Sequence, residues 1–186
     1  MTISTPSLVS TAEKSAATEY LIRTNEQLVA AVKDCSGPDW YFKPSSQEWS
    51  VLDVLEHVVI IERMAQGVVR RMGDAPEAGD RPGMDEIIIA EIPIRSSKIQ
   101  APPPAHPTGK FPPEQVLQQF AEVRQQTLDL VESAPFLRGR AIPHPVFGPW
   151  DGYQWILGVA GHSARHTSQI MEIKAHAGYP RTGGLQ

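Results

Sequence analysis

The sequence predicts an all-α protein, and within that class a four-helix bundle. Two observations carry the prediction. The 17 prolines of the 186-residue chain crowd into two stretches, nine between Pro76 and Pro113 and four between Pro135 and Pro149. Between them lie blocks whose apolar residues recur at the helical period and not in strand alternation. Proline lacks a backbone N–H and breaks helix interiors, so the two proline-rich stretches read as connections and the blocks as helices.

The first helix is expected over about 11–34. Ser10 and Glu13 have capping-box spacing, and Ala17, Tyr20, Leu21, Thr24, Leu28, Ala31 and Val32 form one stripe. The second is expected over about 51–72, capped by Ser50 with Asp53 at N3 and stopped by Gly73. The third, about 113–133, opens on proline and runs through Val116, Leu117, Phe120, Val123, Thr127, Leu128 and Val131. The fourth, about 152–177, has Asp151 and Gln154 as a cap pair and Gly178 with Pro180 as its stop. The link over 73–112 is long enough, at up to ~3.3 Å per residue, to cross the whole bundle, so the second and third helices can run parallel. A structureless link of that length is unusual, and its segment MDEIIIAEI is expected to form a short helix packed on the bundle. The chain 1–186 is expected to be a single domain.

Composition narrows the function. At 41% apolar and 20% charged, with a net charge of −4 and no basic stripe interleaved with aromatics, the chain carries no nucleic-acid footprint. Its apolar runs are far too short to span a bilayer, and MTISTPSLVSTAEKS lacks the basic and apolar regions of a secretory signal, so a cytoplasmic location without a membrane partner is expected. Cys35 is the one cysteine, which excludes an internal disulfide and a Cys-rich zinc ribbon.

Histidines supply the convergent chemistry. His57 lies on the second helix's stripe of Val54, Val58, Ile61, Met64/Ala65 and Val68. His162 and His166 are one turn apart on the fourth helix, in the stripe Trp155, Val159, Ser163, Ile170 and Ile173. Two imidazoles at i and i+4 can share one cation, and a third from a facing helix leaves coordination positions open, the pattern of catalytic more than structural sites. Three hydrogen-bonded core histidines without a metal are the competing reading of the same residues. The HExxH of zincin proteases is absent, since His162-Ser163-Ala164-Arg165-His166 has no glutamate to serve as base. No GxSxG elbow, P-loop or GxGxxG occurs.

The stretches WSVLDVLEHVVIIERM and HPVFGPWDGYQWILGVAGHSARHTSQIMEI, with the length and order of the whole chain, resemble the DinB-like superfamily, the DinB/YfiT group of metal-dependent hydrolases and thiol transferases. The resemblance implies an up-down-down-up four-helix bundle of bacterial type with a three-histidine metal site, which carries over to His57, His162 and His166. It implies a divalent ion, with Zn, Ni, Fe and Mn equally compatible with three imidazoles. It also implies a small-molecule substrate, an activity of thiol transfer with a low-molecular-weight thiol or of hydrolysis, and a homodimer. A non-catalytic metal-binding or assembly module is the alternative.

Candidate helpers surround that site. Asp53, one turn before His57, can orient its ring or simply cap the second helix. Gln169 can reach the cavity or face solvent. Arg165 and Arg124 can bind an acidic group, with surface solvation as their default. Tyr20 can line the pocket or pack in the core. His144 can act as an extra ligand or a gate. Cys35 reads as an inert small residue.

Overall fold

The structure, a computed structural model, describes residues 8–79, 81–96, 98–134 and 137–180. Expectations that fall on residues 1–7, on Pro135 and on the C-terminal end of the chain lie outside them. Among the described residues the chain is mostly helical: α1 (Thr11–Val32), α2 (Val51–Arg70), α3 (Met84–Glu91), α4 (Pro113–Ser133) and α5 (Gly152–Ala175). A small antiparallel hairpin, β1 (Ala141–His144) and β2 (Gly148–Asp151), precedes α5.

The helix starts follow their caps. The backbone N–H groups of Glu13 and Asp53 donate to the hydroxyls of Ser10 and Ser50 at 3.2 Å each, and that of Gln154 donates to Asp151 Oδ1 at 2.8 Å. Three helix ends fall two residues short of the sequence reading. Each closes with a tightened i→i−3 bond: Cys35 N–H to Val32 O, Arg71 N–H to Val68 O and His176 N–H to Ile173 O. The expected short helix in MDEIIIAEI is α3, which lies on α5.

The hairpin adds a small two-stranded sheet, which the sequence reading did not include, to an otherwise helical chain. Pro143, Pro145 and Pro149 argue against a strand, yet Pro143 and Pro149 face each other in the register. Residues without an N–H fit at a non-hydrogen-bonded pair of a two-stranded ribbon, where no ladder bond is lost. Arg138 ties this region down. Its guanidinium meets Glu13 and Asp85 at 2.6 Å each and Asp151 at 3.0 Å, and lies 4.1 Å from the Tyr153 ring centroid.

The long helices pack pairwise, α1 on α5 and α4, and α2 on α5 and α4. One apolar cluster gathers Leu28 and Val32 of α1, Val51 to Val59 of α2, Phe120 of α4 and Ile170 and Ile173 of α5. A second gathers Ala17 and Leu21, Ala65 and Val69, Val131, and Ile156 to Ala160 with Trp150. Between the two lies a layer of buried polar side chains: Thr24, Glu62, Gln66, Arg124, Thr127 and Ser163. Arg124 is 3% exposed, which corrects its expected surface position. Buried charge survives there because it is paired: Arg124 grips Glu62 through Nε at 3.0 Å and Nη2 at 2.8 Å, and also donates to Leu21 O, Thr24 Oγ1 and Ser163 Oγ. Thr127 Oγ1 donates to Glu62 Oε1 at 2.6 Å.

Candidate metal centre

The three inward histidines meet beside this polar layer. α2 delivers His57, and α5 delivers His162 and His166 one turn apart. His162 Nε2 lies 3.2 Å from His57 Nε2 and 3.0 Å from His166 Nε2, and one nitrogen from each ring lies within 4.8 Å of the other two. His57 and His166 are 4% and 7% exposed, and His162 is half-buried.

Two of the tautomers follow from their partners. Ala105 O sits 2.7 Å from His57 Nδ1 and can only accept, so Nδ1 carries the proton and Nε2 a lone pair. Gln169 Oε1 sits 2.8 Å from His166 Nδ1 and also accepts from Arg95 Nη1 at 3.1 Å. Arginine only donates, so it fixes the amide oxygen towards both, and His166 likewise keeps a lone pair on Nε2. Two acceptors therefore face His162 Nε2, which can donate to one of them at most. A cation held by all three Nε2 atoms resolves that excess of lone pairs, so the donor set fits a divalent ion. Nitrogens bound to one ion at about 2.0–2.1 Å stand roughly 3.0–3.4 Å apart, the range of the two short separations.

Electrostatics keeps the rings in the ligating form. Burial pushes the imidazolium of His166 down to about 3, with the neighbouring His57 adding to it, and pushes His57 below its ordinary value. Burial, then the charge His166 and His57 would carry, holds His162 well below that range. All three are neutral at pH 7, and none needs to lose a proton on binding a metal. The unfolded chain, with histidines near 6.5, takes up protons before the folded one. The metal-free protein is therefore expected to hold its stability, as far as these groups decide it, above about pH 6.5. It should lose up to about 1.4 kcal/mol per histidine for each pH unit below that, down to the folded values. Urea midpoints at pH 7.5, 6.0 and 5.0 check the sign, and a midpoint that rises on acidification contradicts it.

The other candidates separate cleanly. Gln169 is in the site, on His166. Asp53 is taken by the cap of α2 and by Lys43 Nζ at 2.8 Å, while the His57 ring is oriented by Ala105 instead. Arg165 reaches the carbonyl of Ile94 at the edge of α5. Tyr20 is a core residue with the Arg23 guanidinium over its ring. His144 lies outside the triad, stacked on Trp150 with centroids 3.9 Å apart. Cys35 Sγ lies 3.5 Å from Tyr179 Oη, in another part of the molecule.

Sequence reasoning missed the Ala105 carbonyl, which has no side-chain signature and is 48 residues from its partner. It also missed how that segment is held: Glu56, buried on α2, accepts from Thr108 Oγ1 at 2.6 Å and Gly109 N–H at 3.0 Å. Trp49, its ring centroid 4.7 Å from that of His57, covers the same imidazole. The crossover thus serves the site, pinning its Pro103–Ala105 turn against α2.

The profile of the DinB superfamily matches residues 20–170 and so spans all three histidines. The chain is 34% identical over 137 residues to the uncharacterized protein YuaE of Bacillus subtilis (strain 168), a match covering 71% of this chain and 81% of YuaE. No solved structure matches. By the extent of the profile match and of the likeness to YuaE, the chain belongs to the DinB superfamily.

Proposed function

We propose that this protein holds one divalent ion through His57, His162 and His166 and acts on a small molecule by thiol transfer or hydrolysis. The observation that carries the reading is the convergence of three Nε2 atoms, two of them locked as acceptors by Ala105 and Gln169. The proposal includes a single domain with an up-down-down-up run of α1, α2, α4 and α5. Supporting it, Lys14 near the start of α1 reaches Glu132 O near the end of α4, while Lys174 near the end of α5 reaches Ala31 O near the end of α1.

An ion bound there supplies Lewis acidity that makes a water or a thiol nucleophilic at neutral pH. The chain's own part is orientation. Ala105 fixes the ring of His57, Gln169 that of His166, and Arg95 holds Gln169 while its other donors grip Glu172. Such outer partners are typically worth 10–100-fold in metal affinity. Gln169→Ala is accordingly expected to weaken zinc binding by at least about tenfold with helix content unchanged, as calorimetric titration would show.

The non-catalytic module draws on one observation: two of the three rings are almost fully buried. Turnover separates the readings. Zinc-, nickel-, iron- or manganese-loaded protein is offered N-acetylcysteine with chlorodinitrobenzene, and separately nitrophenyl acetate. A rate above that of the free ion, lost in His162→Ala, supports an enzyme. Rates no higher than the free ion in both reactions favour the module.

A further inference from the structure

α2 buries two glutamates in different ways. Glu62 meets a guanidinium, while Glu56, 4% exposed, forms no ion pair among the described residues. Two hydrogen bonds alone satisfy its carboxylate, from Thr108 Oγ1 at 2.6 Å and from Gly109 N–H at 3.0 Å. Burying a charge without a counter-charge is costly, and an apolar side chain at this position would avoid the cost. The segment that Glu56 holds supplies the reason for it.

That segment has little else to anchor it. Of residues 101–110 only Ala105 is buried, so scarcely any apolar area ties it down. It is stiff, however. Pro102, Pro103, Pro104 and Pro107 fix four of its φ angles. Three bonds close the turn on itself: Ala105 N–H to Pro102 O at 2.8 Å, His106 N–H to Pro103 O at 3.1 Å, and His106 Nε2 to Ala101 O at 2.9 Å. Gly109 adopts a φ of +64°, open to glycine, and gives its N–H to the carboxylate. A stiff segment gripped at Thr108 and Gly109 is thereby placed at Ala105, whose carbonyl accepts from His57 Nδ1. Glu56 and His57 are consecutive on α2, so one helical turn holds the segment at two points four residues apart.

We propose that Glu56 is a positioning residue of the metal centre. Through Thr108 and Gly109 it holds the proline-rich turn whose Ala105 carbonyl orients His57, so metal affinity depends on a carboxylate that bonds to none of the ligands. The inference rests on the three-histidine reading of the site. His166 is the internal control, because its ring is oriented by Gln169 and Arg95 without Glu56.

The experiment compares the full-length parent with Glu56→Ala, Thr108→Val and the double variant. Zinc affinity is measured by calorimetry, and the Nδ1 protons of His57 and His166 are followed by nitrogen-15 spectroscopy of the zinc-free protein. Glu56→Ala is expected to weaken zinc binding by about tenfold, the lower end for outer partners of a metal site. Thr108→Val should weaken it roughly fivefold, the worth of one hydrogen bond. The double variant should bind no more weakly than Glu56→Ala, because Thr108 has nothing to hold once the carboxylate is gone. The hydrogen-bonded Nδ1 proton of His57 should disappear in Glu56→Ala while that of His166 stays, a split that general loosening of the fold would not produce. Coupling is reciprocal, so zinc should slow exchange of the Gly109 amide in the parent. Thr108 is exposed, so Thr108→Val keeps the test open if Glu56→Ala does not fold. Zinc affinities within twofold of the parent's, losses that multiply in the double variant, a Gly109 amide indifferent to zinc, or equal loss of both imidazole protons overturn the proposal. A parent that binds no zinc defeats the metal reading, and the His57 proton, read without zinc, still decides the link through Glu56.

Discussion

Arg124→Ala is expected to lower the stability of the protein by about 3–5 kcal/mol, the usual cost of removing one partner from a buried ion pair. Glu62, 1% exposed, would keep Thr127 as a donor but lose both guanidinium bonds, while Leu21 O, Thr24 and Ser163 lose a partner each. In a chain of this size that corresponds to a fall in melting temperature of about 6–20 °C. The double variant Arg124→Met with Glu62→Leu should recover much of the loss, because two well-packed apolar side chains replace a pair whose attraction is largely offset by desolvation. Thermal and urea unfolding of the parent, both single variants and the double variant measure this directly. A loss below about 1 kcal/mol for Arg124→Ala contradicts the description of the polar layer.

The second large effect is stabilisation by metal. A ligand that binds only the folded state, present at a thousand times its dissociation constant, adds about 4 kcal/mol. Added zinc or nickel is therefore expected to raise the melting temperature of the metal-free protein by about 8–16 °C. His162 is the nitrogen that both other rings face, so His162→Ala should abolish nearly all of the gain while leaving the metal-free protein folded. An equal gain in the variant places the ion somewhere else.

Much of the architecture was legible because local rules and tertiary packing agree in this chain. The seven residues of the first stripe are the seven buried residues of α1, and all three expected cap pairs form. The histidines were legible for the same reason, since each lies on an apolar stripe that had to face inward. What escaped was of another kind. Glu62 and Arg124 sit on core faces, but a charge on such a face is recognisable as buried only once its partner, 62 residues away, is known. The hairpin was hidden by prolines that suit a two-stranded ribbon, and the Ala105 carbonyl by being backbone. Two candidates near the histidines in sequence, Asp53 and Arg165, turned out to have other partners, while Gln169 reached His166.

The central claim is that three imidazoles hold one divalent ion, and direct titration tests it most simply. Untagged protein is stripped with chelator, dialysed, and titrated calorimetrically with zinc, alongside His57→Ala and His162→Ala. The account predicts one equivalent bound by the parent and the loss of that binding in both variants. No binding by the parent, or a stoichiometry and affinity unchanged in the variants, would contradict it.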